Sequence, residues 1–332
     1  MTINKTSCTL VTVLLLLACA AASAGCTGTN VSENGSVAPT SPEATASPGV
    51  TPAQPSSEGL LGEEEARSLA VAALEREMPG IRIKRVVAEP YDVQNYGDVW
   101  QFRVKAEGDS EPELQEGNIQ VWIDALDGEM VYFQDGRDYY RSADPAITID
   151  EAEGIAETYL RDRNEGLDVV KIAAVLSTLD TPLGNRTGPY HFAYRRSIDG
   201  VLCLYDGIVL DIDSIDGRVV SYHKAWRVSD NDTMTDPAPS ITKDAAQDRV
   251  LAYLNATCGT DPGDITVRST GLLWYDLAAQ HRRSQDPVTV PLAWRVEFDD
   301  EWYRSQDPPR TATLWIDAHS GEVLSAAYYS CI

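Results

Sequence analysis

Val121-Trp-Ile-Asp-Ala-Leu-Asp-Gly-Glu-Met-Val131 sets two apolar strands around an Asp-Gly turn. Glycine takes φ > 0 at little cost, so this is a strong hairpin signal. The hairpin recurs as Val209-Leu-Asp-Ile-Asp-Ser-Ile-Asp-Gly-Arg-Val219 and as Leu314-Trp-Ile-Asp-Ala-His-Ser-Gly-Glu-Val323. Asp124 and Gly128, Asp213 and Gly217, and Asp317 and Gly321 are the matching turn residues. Successive copies are offset by 89 and 104 residues. Working back from each hairpin, a second repeated pattern appears. Leu61-Gly-Glu-Glu-Glu-Ala66, Ile147-Thr-Ile-Asp-Glu-Ala152 and Ile241-Thr-Lys-Asp-Ala-Ala246 each open an apolar stripe at helical spacing. The stripes run Ala66, Ala70, Ala73, Leu74; Ala152, Ala156, Tyr159, Leu160; and Ala246, Val250, Tyr253, Leu254. Thr148 with Glu151 predicts a capping box, and Thr242 predicts a cap on the third helix. Pro79-Gly80, Asn164-Glu-Gly166 and Cys258-Gly259 predict the stops.

Between helix and hairpin lies an alternating strand: Val99-Trp-Gln-Phe-Arg-Val104, Tyr190-His-Phe-Ala-Tyr-Arg195 and Leu292-Ala-Trp-Arg-Val-Glu-Phe298. Alternation of this kind marks half-buried antiparallel strands. The expected fold is therefore α+β, with three tandem modules at 59–141, 146–230 and 239–332. Each module is one helix packed on an antiparallel sheet of three or four strands. The helix copies are offset by 86 and 94 residues. The third copy therefore carries extra residues, expected in the polar stretch Asp299 to Arg310.

A helix, a W-x-F/V strand and a V-x-I/V-D-x-x-x-G-E hairpin in that order resemble the PepSY family, the module of M4-type protease propeptides. The resemblance covers all three stretches. Copy one fits best, with Trp100 and Asp124 to Glu129; copy two departs at Arg218 and copy three at Ser320. The resemblance implies a noncatalytic module that binds or restrains a peptidase outside the cytoplasm. The chain has no His-Glu-x-x-His, so any restraint acts in trans.

The first 58 residues address location. Residues 1–25 read as a signal peptide: Lys5, an apolar run from Leu10 to Ala22, then small residues. That run falls short of the ~20 residues a spanning helix needs. Cys26 after Gly25 resembles the lipidated cysteine of a lipoprotein signal. Leu16-Leu17-Ala18-Cys19 is a second candidate, and ordinary cleavage after Ala24 is the alternative. Residues 26–58 are Ser/Thr/Pro-rich without an aromatic residue, which predicts a solvated tether. The expected location is the outer face of the cell membrane, or secretion if Cys26 is not lipidated. Asn30, Asn34, Asn185, Asn231 and Asn255 are candidate glycosylation sites. Acidic bias, tether and sequons together resemble archaeal envelope proteins in composition.

Chemistry is sparse. Lys and Arg total 27 against 51 Asp and Glu, for a net charge of −24, which disfavours nucleic-acid binding. Asp124, Asp127 and Glu129 cluster in one hairpin, and Asp206, Asp211, Asp213 and Asp216 in another. Catalytic carboxylates would have to face each other across a cleft. Turn carboxylates more often hold the turn, so no catalytic residue is expected. None of these loops has the EF-hand ligand pattern, and no metal or cofactor is expected. There is no nucleophile elbow and no phosphate loop. Among the cysteines, Cys258 and Cys331 end the helix and last strand of one module, so a disulfide between them is expected, with three free thiols as the alternative. Cys203 reads as a buried strand residue. Tyr139-Tyr140, Trp226, Trp274-Tyr275, Trp302-Tyr303 and Tyr328-Tyr329 lie at strand ends or loops, where they either close the core or form a contact patch. Candidate partners are an extracytoplasmic peptidase or, in the alternative reading, cations or wall polymers bound by a structural envelope protein. A carboxylate-dependent hydrolase is the third and remotest reading.

Overall fold

The computed structural model describes residues 60–93, 97–107, 119–137, 139–181, 184–229, 232–279 and 287–328. The signal peptide, the tether, Cys26, Asn30, Asn34, Asn231 and Cys331 lie outside the described residues.

Three long helices form where the apolar stripes place them: α1 (Glu63–Glu77), α2 (Ile149–Arg163) and α3 (Lys243–Cys258). The buried residues of α1 and α2 are mostly alanine, so these helices lie close against the sheet, whereas α3 buries Ala246, Val250 and Leu254. The Thr148 hydroxyl accepts from the Glu151 N–H at 3.2 Å, and the Glu151 carboxylate accepts from the Thr148 N–H at 2.7 Å. Thr242 accepts from the Ala245 N–H. Helix α3 stops at Gly259, which takes the left-handed conformation at φ 66°.

Each helix is followed by four main strands. Copy one has β1 (Ile83–Val93), β2 (Gly97–Ala106), β3 (Ile119–Asp124) and β4 (Met130–Asp135). Copy two has β5 (Val169–Thr181), β6 (Gly184–Ile198), β7 (Val201–Ile212) and β8 (Val219–Ala225). After a short β9 (Thr233–Met234), copy three has β10 (Thr266–Trp274), β11 (Thr289–Val290), β12 (Leu292–Asp299), β13 (Ala312–Asp317) and β14 (Val323–Ala327). The extra polar stretch of copy three forms a short α4 (Glu301–Ser305), capped by Asp300.

The same clamp fixes the helix in all three copies. The residue before the helix cap donates its N–H to a hairpin carbonyl: Leu61 to Ala125 at 2.7 Å, Ile147 to Ser214 at 3.1 Å, Ile241 to Ala318 at 3.0 Å. Its carbonyl accepts from an aromatic of the central strand: Trp100 at 2.9 Å, Tyr190 at 2.9 Å, Trp294 at 3.1 Å. The turn glycines face the helix start. A Cβ on Gly128 would sit 2.7 Å from Leu69 and 3.2 Å from Leu61, and one on Gly217 would sit 2.9 Å from Ile155. Gly128, Gly217 and Gly321 also take φ of 78°, 74° and 76°. The positive φ favours glycine at all three turns, and at Gly128 and Gly217 a side chain would also push aside the ends of Leu69 and Ile155.

The separate sheets expected for three modules are joined. Strand β4 pairs antiparallel with β8, through Tyr132↔His223, Phe133↔Tyr222 and Gln134↔Ser221. Strand β10 then meets β7 through one parallel pair, Trp274↔Cys203. A mostly antiparallel 12-stranded sheet results, and the fold is mixed α/β with four α-helices among the described residues. Copies one and two share one hydrophobic core, including Phe102, Val121, Phe133, Phe192, Leu210 and Tyr222. Copy three has its own, around Val250, Leu254, Phe298 and Leu314. Joining β4 to β8 removes two open strand edges, and a shared core buries more surface than two cores of this size would alone.

Candidate functional site

Alternation places Val121, Phe133, Tyr222, Leu210 and Phe192 in the core beneath α1 and α2. The intervening residues face the other side and align in register across the joined sheet. One row runs Gln101, Trp122, Tyr132, His223, Val209 and Ala193; the next runs Arg103, Gln120, Gln134, Ser221, Asp211 and His191. Trp122 stacks on Tyr132 with ring centroids 4.5 Å apart, and Tyr132 meets His223 edge-on at 5.5 Å. The Tyr132 hydroxyl donates to Gln134 at 2.8 Å. Tyr139 and Arg141 reach one end of this face. Tyr139 donates to Asp211 at 2.8 Å and stands edge-on to Tyr140. Arg141 pairs with Asp213. On its other oxygen Asp211 holds His191 Nδ1 at 2.8 Å.

Burial sets the ionisation of this layer. It pushes the Tyr132 hydroxyl up to about 12, helped by the Asp211 charge. It pushes His223 down to about 4, against the pull of Asp211. The His191–Asp211 dyad has no Ser, Thr or Cys side chain hydrogen-bonded to the imidazole among the described residues. The layer offers aromatic planes and amide groups.

The turn carboxylates singled out in the sequence hold their own turns. Asp124 accepts from the Leu126 N–H at 2.7 Å, Asp213 from Ile215 at 2.8 Å and Asp317 from Ser320 at 2.7 Å. Burial works against the Asp317 charge, but the Ser320 and His319 N–H bonds hold its carboxyl below the usual range. Glu129 instead reaches the Lys224 ammonium at 2.6 Å, tying copy one to copy two. Asn185 and Asn255 are both exposed, the first at the start of β6 and the second in α3. Cys258 is disulfide-bonded.

Asp206, one of the acids clustered in sequence, belongs to a second acidic site with Asp276, which no local pattern marks. Asp206 on β7 and Asp276 after β10 are both 0 % exposed. Asp276 accepts from the Tyr205 N–H at 2.8 Å and the Asp206 N–H at 2.6 Å. Asp206 accepts from the N–H groups of Arg227 and Val228 and from Arg196. Burial raises both carboxyls, and for Asp206 the facing Asp276 raises it further. Cys203 is close by, a buried free thiol also raised by burial. One oxygen from each acid and the sulfur lie within 4.8 Å of one another, a spacing a metal could use. The four backbone N–H groups and the Arg196 guanidinium aimed at the pair already satisfy its oxygens. Burial and mutual repulsion thus both favour the protonated form at this pair.

The aromatic pairs divide. Trp274 and Tyr303 are buried, Tyr303 stacks on Tyr328, and Trp302 is 48 % exposed. Trp226 is partly buried and lies 4.5 Å beneath the Arg196 guanidinium.

Helices clamped onto one large, mostly antiparallel sheet define a mixed α/β protein with a half-buried aromatic and amide layer on the face away from α1 and α2. Residues 85–226 match the family described as the YcdB, YcdC repeated domain. The match runs from β1 to the end of β8. No curated protein matches the chain. Among solved structures, the YpeB C-terminal domain of Bacillus megaterium is 14% identical; the match covers 80% of this chain and 97% of that one, with a TM-score of 0.39. An uncharacterized protein from Eubacterium rectale ATCC 33656 is 11% identical, with 80% and 82% covered and a TM-score of 0.45. Among the described residues no helix is long and apolar enough to cross a membrane.

Proposed function

We propose that this chain is a noncatalytic, extracytoplasmic binding protein of PepSY-like units, tethered to the outer face of the membrane through a lipid on Cys26. Its partner is an extracytoplasmic peptidase, restrained in trans across the aromatic–amide face. The observation that carries this reading is the row of Trp122, Tyr132 and His223, continued by Tyr139 and Tyr140, on the side of the joined sheet away from α1 and α2. Half-buried aromatic rings flanked by amides favour peptide and protein contacts.

The test is recovery from envelope extract followed by an activity assay. A metallopeptidase should be retained, and its cleavage of casein should fall when the purified chain is added. Trp122→Ala should weaken both effects while the thermal midpoint stays within a few degrees. Retention of wall polymer or surface-layer material instead would favour a structural or adhesive role, to which the net charge of −24 is suited through bridging cations. Intact mass of the mature N-terminus reads the lipid directly.

A further inference from the structure

Among the described residues, three strands of the large sheet, β1, β5 and β14, pair with a single neighbour each. Two of these edges are guarded. Strand β1 carries Lys84, Arg85, Glu89, Pro90 and Asp92, and charges and proline on an edge discourage another chain from pairing there. Strand β14 has only 5 residues, and a short edge is a poor template. Strand β5 has neither protection. It runs for 13 residues, and within it Ile172-Ala-Ala-Val-Leu-Ser-Thr-Leu179 holds no charge, proline or glycine. Val170, Ile172 and Leu179 are 44%, 47% and 42% exposed. A long, apolar, open edge invites a further strand.

The register on β6 shows which strand fits. Lys171 and Ala173 oppose the adjacent residues Tyr194 and Ala193, so Ile172 is an extra residue at a bulge. Lys171, Ala174 and Leu176 oppose Tyr194, Phe192 and Tyr190, which belong to the core beneath α2. Lys171 also pairs with Glu153 of α2. Alternation carries the same face on to Thr178 and Asp180, while Ala173, Val175, Ser177 and Leu179 face the other way. The bulge therefore brings Lys171 and Asp180 to one face, although their numbers differ by an odd step. A second β5 laid antiparallel, with a two-fold axis at Leu176, then matches residue for residue. Lys171 meets Asp180, the Ile172–Ala173 bulge meets Leu179, Ala174 meets Thr178, Val175 meets Ser177, and Leu176 meets itself. Opposed residues share a face in every pair. Opposite charges and apolar residues set directly across from each other stabilise a strand pair. The net charge of −24 repels copies from one another in general, whereas this edge presents one charge of each sign.

We propose that β5 is a self-association edge: two copies of this chain pair their β5 strands antiparallel about a two-fold at Leu176, so that one sheet continues into the other. The contact is isologous and therefore closes at two copies. A strand of 13 residues a side is smaller than a standard interface, so the dimer is a weak one with a micromolar dissociation constant.

The test is sedimentation of the purified full chain across the micromolar range. A monomer–dimer equilibrium is expected. Asp180→Lys sets like charges opposite each other at both ends of the pair and should weaken the dimer about ten-fold or more. Lys171→Glu should do the same with the other sign. Mixing the two variants restores an opposite pair at each end, so the mixture should dimerise better than either variant alone. Ile172→Lys places a charge at an exposed position of the apolar run and should also abolish dimers; it keeps the test decisive if a charge variant fails to fold. A chain that stays monomeric throughout, or a dimer that Asp180→Lys and Ile172→Lys leave unchanged, would overturn the proposal. A mixture no better than its components would overturn the register.

Discussion

At the scale of single residues, the two buried titrating sites make opposed demands on pH. His223 is neutral in the fold, with its pKa lowered to about 4 by burial. In the unfolded chain it would titrate near 6.5. Its contribution is present above about 6.5 and is lost as pH falls through about 4. The ring keeps some exposure, so that contribution is about 1–3 kcal/mol. The Asp206–Asp276 pair has the opposite sign. Its carboxyls are raised, so the stability they confer is full below the unfolded value of about 4 and declines as pH rises toward neutrality. Wild-type stability across this window is the sum of two opposed slopes. His223→Gln should remove one of them, leaving urea stability that falls from pH 4.5 to 7; a rise over that range would contradict the assignment. Asp206→Ala should cost about 2–3 kcal/mol at pH 7, because it leaves the Arg227 and Val228 N–H groups without an acceptor, while Arg196 keeps its bond to the Val228 carbonyl. Chemical denaturation measures that loss. Asp276 gave no warning in the sequence, because nothing local marks an acid as buried. It lies 71 residues from the Tyr205 N–H it accepts, and only the β7–β10 contact brings the two together.

At the scale of elements, the repeat was legible because its signals are local. Helical stripes, the Thr148 capping box and the Asp-Gly turns depend on residues within a few positions of one another, and the structure has each in place. The clamp from Trp100, Tyr190 and Trp294 to the helix start was only half legible: the aromatics repeat in sequence, but their carbonyl partners lie 39 to 53 residues away. Turn glycines allow a graded test. Gly166→Ala meets only the φ penalty, since a Cβ there has open space, and should cost about 1 kcal/mol. Gly217→Ala adds a contact at 2.9 Å with Ile155 and should cost about 2–3 kcal/mol. Thr148→Ala removes a cap and should cost about 1 kcal/mol. Equal losses at the two glycines would mean that helix and turn do not press on each other.

At the scale of the whole molecule, the sequence hid how the copies join. Strands β4 and β8 alternate in the same way whether their edges are open or paired, so periodicity cannot foretell a seam. The seam has consequences for folding. Copy one ends at β4, and its core residues Phe102, Val121 and Phe133 belong to one cluster with Phe192, Leu210 and Tyr222 of copy two. Tyr159 of α2 donates to Glu77 at the end of α1, and Arg218 donates to the buried Asp135. Burial works against the Asp135 charge, but Arg137 and Arg218 together hold its carboxyl low. Residues 60–141 cut out alone would expose half of that core, the unpaired edge of β4 and an acid without one of its cations. Residues 60–230 keep all three satisfied. The shorter fragment should show no cooperative unfolding transition and broad amide resonances, whereas the longer one should unfold in a single sharp step. Residues 239–332 have a core of their own, but they also bury Trp274, Leu292 and Ala318 against Cys203 and Val228 of copy two, so their removal should leave the transition of 60–230 in place but weakened. It would bare Cys203, Val228 and Asp206 at the junction, and should lower that midpoint by several degrees. A cooperative transition in 60–141 alone would show that the shared core is two cores in contact.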